Sequence, residues 1–169
     1  ERASVPATSA DERAKLLHFV VVGGGATGIE FAAELHDLLV ENVPRAYPEL
    51  VGKVKITLFE AMSSVLSGFD ESLRDYAIKS FKRRGIEVRL ESPVAEIHAG
   101  GLRLKSGEEI PAGTVVWTSG GHTCPPMTRR RSHMPRVLII CPVTEVRVPT
   151  GFEADLVPAY RRTIPQTGS

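Results

Sequence analysis

Cysteine is almost missing: the chain has two in 169 residues, Cys124 and Cys141. Two cysteines cannot build the disulfide framework of a small secreted domain. An excess of one charge is missing too, since 21 Lys and Arg stand against 20 Asp and Glu. Nothing global therefore points to nucleic acid or to an anionic membrane. No apolar run is long enough to span a bilayer. The most apolar stretch, residues 16–35, is interrupted by four glycines, His18, Glu30 and Glu34, a pattern hydrocarbon does not tolerate. There is no internal repeat. The start, Glu1-Arg2-Ala3, has neither Met nor a signal-peptide pattern, as expected of a fragment.

What is present changes character at Gly120. Residues 1–120 hold 14 Lys and Arg, 17 Asp and Glu and five prolines. Residues 121–169 hold seven basic and three acidic residues, seven prolines and both cysteines. The length suffices for one domain with a sizeable core, and the shift places the end of that domain near residue 120. The expected division is a polar lead-in over 1–15 with one helical turn, a nucleotide-binding domain over 16–120, and a Pro/Arg-rich tail over 121–169. The tail is expected to be disordered or aberrant. Within it Val137-Leu138-Ile139-Ile140 has strand character, but prolines break everything around it.

The period of the apolar residues gives the elements. Residues 16–22, a continuous β-branched run, predict a parallel strand buried on both faces. Residues 27–40 predict a helix with Ile29, Phe31, Ala32, Leu35, Leu38 and Leu39 on one face. A connector holding Pro44, Pro48 and Gly52 follows over 41–53. A second strand is expected over 54–60, and a second helix over about 71–84, with Asp70 to cap it and Gly85 to end it. A third strand covers 86–90. The period then changes to two over 94–98, 102–104 and 109–110, with Gly100-Gly101 and Ser106-Gly107 between. That predicts a three-stranded meander. Residues 114–117 form the closing strand. The fold class is α/β, a Rossmann-like βαβαβ unit with a meander and a closing strand.

Gly23-Gly24-Gly25-Ala26-Thr27-Gly28 satisfies G-x-G-x-x-G. Alone that pattern is weak. Leaving a buried strand and opening a helix, it has the context that a dinucleotide fingerprint needs. Gly23 permits the tight turn, Gly25 lets a pyrophosphate approach the backbone, and Gly28 lets the helix pack closely. The phosphates would meet the free N–H groups and positive end of the helix. The partner acid belongs at the end of the second strand, where Glu60 stands. It lies farther along than usual because the 41–53 connector lengthens the crossover. A solvated acid ending a strand would look the same. No Lys or Arg occurs between Ala61 and Leu73, so nothing nearby in sequence suits a 2′-phosphate, and NADH is expected over NADPH. Glu30, in the first helical turn, is stabilised by the helix dipole with or without a ligand.

These blocks together closely resemble the type II NADH dehydrogenases, the alternative, rotenone-insensitive, non-proton-pumping NADH:quinone oxidoreductases. The resemblance rests on residues 16–37 around the glycines, on Tyr47-Pro48-Glu49-Leu50, on residues 54–61 and on Val65-Leu66-Ser67-Gly68-Phe69-Asp70. It continues through residues 81–88 and Val115-Val116-Trp117-Thr118-Ser119-Gly120, covering about 3–120 with no match from Gly121 onward. The eukaryotic branch looks nearest. The resemblance implies the inserted NADH-binding domain of a two-dinucleotide flavoprotein fold. Carried over by position, Gly23, Gly25 and Gly28 cradle the pyrophosphate and Glu60 holds the adenosine ribose. Glu30 lies at the nicotinamide end, next to where flavin would stack, and Gly24, Thr27 and Gly120 are implied as further cofactor-binding residues. The implied reaction passes hydride from NADH to FAD and two electrons to ubiquinone, with the flavin doing the redox chemistry. It also implies a mitochondrial, inner-membrane-associated enzyme, with a homodimer open to the full-length protein.

Departures from the family's pattern bear on activity. A second G-x-G-x-x-G for FAD, the quinone-site segment and the C-terminal amphipathic helices that reach the membrane are not found in this sequence. The isolated chain is therefore expected to be inactive. A shifted reading frame, a retained intron or a truncated gene model would produce the change of composition at 121. The competing readings are the NAD(P)H domain of another FAD-dependent reductase, of the disulfide or ferredoxin type, and a non-catalytic NADH-binding module. The long 41–53 connector and the Tyr47-Pro48 block argue against the first. Among weaker signals, His122, Cys124, His133 and Cys141 fit no zinc spacing. Arg129-Arg130-Arg131 is a lone triplet, and Lys82-Arg83-Arg84 suits the last turn of a helix without a ligand.

Overall fold

The computed structural model describes residues 2–119 together with the backbone of two short strands, Leu138–Ile140 and Arg147–Pro149. A 3₁₀ turn, Arg2–Ser4, and helix α1 (Ala10–Leu16) precede strand β1 (His18–Val22). Helix α2 (Ala26–Ala46) and a 3₁₀ turn at Pro48–Leu50 lead to β2 (Lys55–Phe59). Helix α3 (Glu71–Arg84), β3 (Glu87–Arg89), a meander of β4 (Val94–His98), β5 (Gly101–Leu104) and β6 (Glu109–Pro111), and β7 (Thr114–Trp117) follow. The strands 138–140 and 147–149 are β8 and β9.

The main sheet runs β3-β2-β1-β7-β8-β9 and the meander is a separate antiparallel sheet. β1 pairs in parallel with β2 and with β7, and β2 in parallel with β3. Both edges of β1 are thus paired, and each face is buried in its own core cluster, which is why its sequence is apolar without alternation. Val21 faces α2 and α3, packing with Ala32, Leu58 and Phe81. Val20 and Val22 face the meander, packing with Phe59, Leu102 and Trp117. The sheet is thus the middle layer between two separate cores.

Several expectations are corrected. The lead-in is not polar surface: Ala3 is buried with Leu17 and Leu50, and Arg13 donates to the carbonyls of Ala3, Val5 and Thr8. α1 spans seven residues, so Leu16 and Leu17 precede the strand instead of starting it. Its N-cap is Ser9, whose hydroxyl accepts the Glu12 N–H at 3.2 Å.

The helix expected to stop at Val40 runs to Ala46 with Pro44 inside its last turn. Proline there lacks the N–H that the helix would give to the Val40 carbonyl, a local cost. Val43 and Tyr47 pack on the core made by Ala3, Leu17 and Leu50, which favours the extension. Asp70 takes the N-cap position of α3, but its side chain makes no capping hydrogen bond. Gly85 ends that helix at φ +72°, as expected.

β7 does not close the sheet. β8 pairs with it antiparallel and β9 with β8, so Leu138–Ile140 and Arg147–Pro149 extend the sheet. Pro149 sits in the edge strand, where no ladder donor is required on the outer side. The zinc candidates His122, Cys124, His133 and Cys141, and the Arg129–Arg131 triplet, lie outside the described residues. Among the described residues no helix is long and apolar enough to cross a membrane.

Candidate functional site

The chain steps outward from β1 to β2 to β3, then returns to the other side of β1 as β7. The order of a doubly wound sheet reverses at that point, and ligands bind beyond the carboxyl ends of the strands there. Val22, Phe59 and Trp117 end the three strands, and residues 23–28 lie directly after Val22.

Gly23 adopts φ +115°, a region L side chains rarely enter. A Cβ on it would also meet the Thr118 hydroxyl at 2.7 Å. Its N–H donates to the Phe59 carbonyl at 2.8 Å, fixing the turn to β2. Gly24 is buried, its N–H donating to Glu60 Oε2 at 2.5 Å and its carbonyl accepting the Leu66 N–H at 2.8 Å. A Cβ at Gly28 would overlap the Gly23 carbonyl oxygen. The close approach that this glycine allows is thus between helix and turn.

Gly25 differs from these. It is the N-cap of α2 at φ −73°, is exposed, and has no atom within 4 Å of where a Cβ would stand. Ala26 and Thr27 beside it are exposed as well. The first N–H groups of a helix have no partner within it, and α2 is 21 residues long, so its positive end faces open space. That cradle fits a pyrophosphate by room, donors and dipole.

Glu60 stands immediately after β2 with both oxygens engaged, Oε2 by Gly24 and Oε1 by the Met62 N–H at 2.8 Å. A carboxylate has about four acceptor sites, so two remain for hydroxyls. Glu30 is exposed in the first turns of α2. Gly120 lies outside the described residues. The structure thus brings Gly23, Gly24, Gly25, Thr27, Gly28 and Glu60 to one place, with Glu30 farther along the same helix.

Three contributors were invisible in the sequence. The Thr118 hydroxyl lies 3.0 Å from the Val22 carbonyl and 3.2 Å from that of Gly23, bracing the turn from β7. Leu66 takes φ +49°, rare for such a side chain, and with buried Val65 clamps Gly24 from the loop after β2. Lys105 lines a crevice with Val22, Phe59, Glu60, Ser92 and Trp117 on the meander side. It arrives there because the Ser92 N–H bonds to the Glu60 carbonyl and the Lys105 N–H to that of Pro93. A search near Glu60 in sequence could not find it. A separate apolar groove, lined by Leu39, Val43, Val54, Ile86 and Arg84, lies at the opposite ends of these strands, away from the glycines.

Fold and site define a dinucleotide-binding domain of the Rossmann class. Residues 3–129 match the family model described as pyridine nucleotide-disulphide oxidoreductase, and the chain belongs to that family. The match runs nine residues past Gly120, correcting the expectation that it ends there. The chain is 46% identical over 129 residues to the "External alternative NAD(P)H-ubiquinone oxidoreductase B2, mitochondrial" of Arabidopsis thaliana, covering 74% of this chain and 22% of that protein. It is 47% identical over 121 residues to a "Probable NADH dehydrogenase" of Dictyostelium discoideum, covering 71% and 27%. Among solved structures, NDH2 from Plasmodium falciparum in complex with NADH superimposes with a TM-score of 0.67 at 26% identity, over 70% of this chain and 25% of that one. The resemblance to alternative NADH dehydrogenases is borne out. The chain spans about a quarter or less of the length of these relatives.

Proposed function

We propose that this chain is the NADH-binding part of a flavin-dependent NADH:quinone oxidoreductase of the alternative type, in mitochondria. The observation that carries the reading is Gly25: exposed, unobstructed and at the head of a long helix, it leaves a space shaped for a pyrophosphate. The dinucleotide would lie across the ends of β2, β1 and β7, its adenosine ribose at Glu60 and its nicotinamide toward Glu30. FAD, when bound, supplies the hydride acceptor, and in this reading it is held outside these 169 residues. Quinone, membrane association and a homodimer belong to the whole protein. The relatives' names, NAD(P)H-ubiquinone oxidoreductase and mitochondrial, support the activity and the compartment.

NADH is preferred over NADPH because Glu60 is fixed by two backbone N–H groups and cannot swing away from a 2′-phosphate. Lys105 lines the same crevice but is exposed, whereas the Glu60 carboxylate is fixed, so the carboxylate decides. Calorimetry on the chain should show NADH binding, weaker NADPH binding, and a narrower gap in Glu60→Gln. Gly25→Val should abolish binding with an unchanged circular dichroism spectrum. Equal affinity for both nucleotides would remove the ribose assignment, and binding that survives Gly25→Val would remove the pyrophosphate assignment.

A further inference from the structure

We infer that Glu60 is a positioning residue of the phosphate turn, holding the Gly24 peptide in place whether or not an adenosine ribose is present. This deepens the dinucleotide reading above and rests on it only for the ligand.

The geometry begins with the backbone of Glu60, which is held on both sides. Its N–H donates to the Arg89 carbonyl at 2.9 Å and its own carbonyl accepts the Ser92 N–H at 2.9 Å. The carboxylate then reaches the turn from a fixed base. Oε2 accepts the Gly24 N–H at 2.5 Å, and Oε1 accepts the Met62 N–H at 2.8 Å. Hydrogen bonds to an ionised acceptor are shorter and about twice as strong as neutral ones. A Cβ at Gly24 would stand 2.9 Å from Oε2 and 2.9 Å from Val65 Cγ1, so the carboxylate packs directly on the glycine. Gly24 is a glycine partly to admit this side chain.

Two consequences follow for the site. The Gly24 N–H is used inside the fold, which leaves anion binding to the exposed head of α2, at Gly25, Ala26 and Thr27. The direction in which those groups point depends on the peptide that Glu60 holds. One carboxylate therefore orients the phosphate cradle with two acceptor positions while two remain for ribose hydroxyls. Without the latch, the turn would keep the Thr118 hydroxyl on the Gly23 carbonyl, the Leu66 N–H on the Gly24 carbonyl and the Gly23 N–H on Phe59, but nothing would hold the Gly24 N–H.

The test uses the 169-residue chain in three forms, wild type, Glu60→Ala and Glu60→Gln, with NADH and an NADH analogue lacking both adenosine ribose hydroxyls. In proton–nitrogen spectra without ligand, the Gly24 amide should lie far downfield and exchange slowly. It should move upfield and exchange about tenfold or more faster in Glu60→Ala, since losing one charge-assisted bond is a change of that order. Glu60→Gln keeps one acceptor and should fall between. The analogue should bind Glu60→Ala about tenfold more weakly than wild type, and Glu60→Gln several-fold better than Glu60→Ala. Removing a negative charge beside an anion site would by itself tighten binding, so a loss reports the latch and not the charge.

Equal affinity of the analogue for wild type and Glu60→Ala would overturn the inference, leaving Glu60 as a ribose contact alone. So would a Gly24 amide that ignores both substitutions. Should Glu60→Ala not fold, the Glu60→Gln spectrum decides the matter. Failure of the wild-type chain to bind either nucleotide would sink the proposed function, while the Gly24 amide would still rule on the latch.

Discussion

The hydroxyl of Thr118, one residue beyond β7, sits between the carbonyls of Val22 and Gly23, at 3.0 and 3.2 Å. It joins the glycine turn of residues 23–28 to the end of a strand 95 residues later in the chain. The Thr118 N–H also bonds to the Val22 carbonyl at 2.9 Å, so the hydroxyl adds the contact to the Gly23 carbonyl, while the Gly23 N–H is held by Phe59.

Thr118→Val keeps the shape and removes that donor. We expect a loss of about 1 kcal/mol in denaturant unfolding, the net worth of one part-buried hydrogen bond. NADH affinity should fall several-fold in calorimetry, and Thr118→Ser should restore both. A Val variant with unchanged stability and affinity would show that the turn does not need the brace.

Gly28→Ala should act on the fold itself. The new methyl would overlap the Gly23 carbonyl oxygen and approach the Thr118 hydroxyl to 2.8 Å. Backbone on one side and a bonded side chain on the other give it nowhere to go. Overpacking of this kind costs about 3 kcal/mol. Thermal unfolding should show a clear drop in midpoint for Gly28→Ala and little change for Gly25→Ala, where no atom is in reach. Equal midpoints in the two variants would contradict the packing described.

His18 gives a dependence on pH. It is buried at the start of β1, with Nδ1 2.7 Å from the Pro111 carbonyl and Nε2 2.8 Å from the Thr57 hydroxyl. Burial holds its pKa below the ordinary histidine value of about 6.5, with Pro111 and Glu87 opposing the effect and Lys55 adding to it. The unfolded chain therefore takes up a proton at a higher pH than the folded one. The stability due to neutral His18 is present above about pH 6.5 and is lost as pH falls toward the folded pKa. Unfolding midpoints measured from pH 7.5 to 5 should decline, and His18→Asn, which keeps a donor for Pro111, should flatten the decline. The depressed carboxylates Asp37, Glu87 and Glu108 titrate lower and act below this window.

A chain ending at Ser119 tests the strands beyond it. β7 is paired on one side with β1 and on the other with β8. Removing β8 and β9 would leave Val115, Val116 and Trp117 in an open edge, a template for association. Sedimentation should show self-association of the truncated chain that the full chain lacks. A monomeric truncation of equal stability would mean that the pairing adds nothing.

The elements legible in the sequence are those whose local pattern and tertiary packing agree. β1, α3 and the meander were read correctly in kind because period, glycine turns and caps all pointed one way. The end of α2 was misread because Pro44 signals a break, whereas Val43 and Tyr47 have a core to meet that no local pattern reveals. Ser9 and Glu12 did carry a readable capping signature, S-x-x-E, and would have placed α1 before the strand. In the candidate site, the glycines could be picked out by a spacing that phosphate binding requires, and Glu60 by its place at the end of the second strand and not by spacing. Thr118, Leu66 and Lys105 were not, since each reaches the turn through pairings between segments far apart in sequence.

That dispersion of supports links the nucleotide to folding. The turn of residues 23–28 is held by Phe59, Glu60, Leu66 and Thr118, four positions that come together only when β1, β2 and β7 have all paired. A half-assembled chain has the glycines but not the cradle. NADH should accordingly find no foothold on unfolded or partly folded forms, and mass action then makes it a selective stabiliser of the finished fold. At a hundredfold excess over its dissociation constant it would add about 2.7 kcal/mol. In a cell, the supply of reduced nucleotide would help to decide how much of this domain survives quality control.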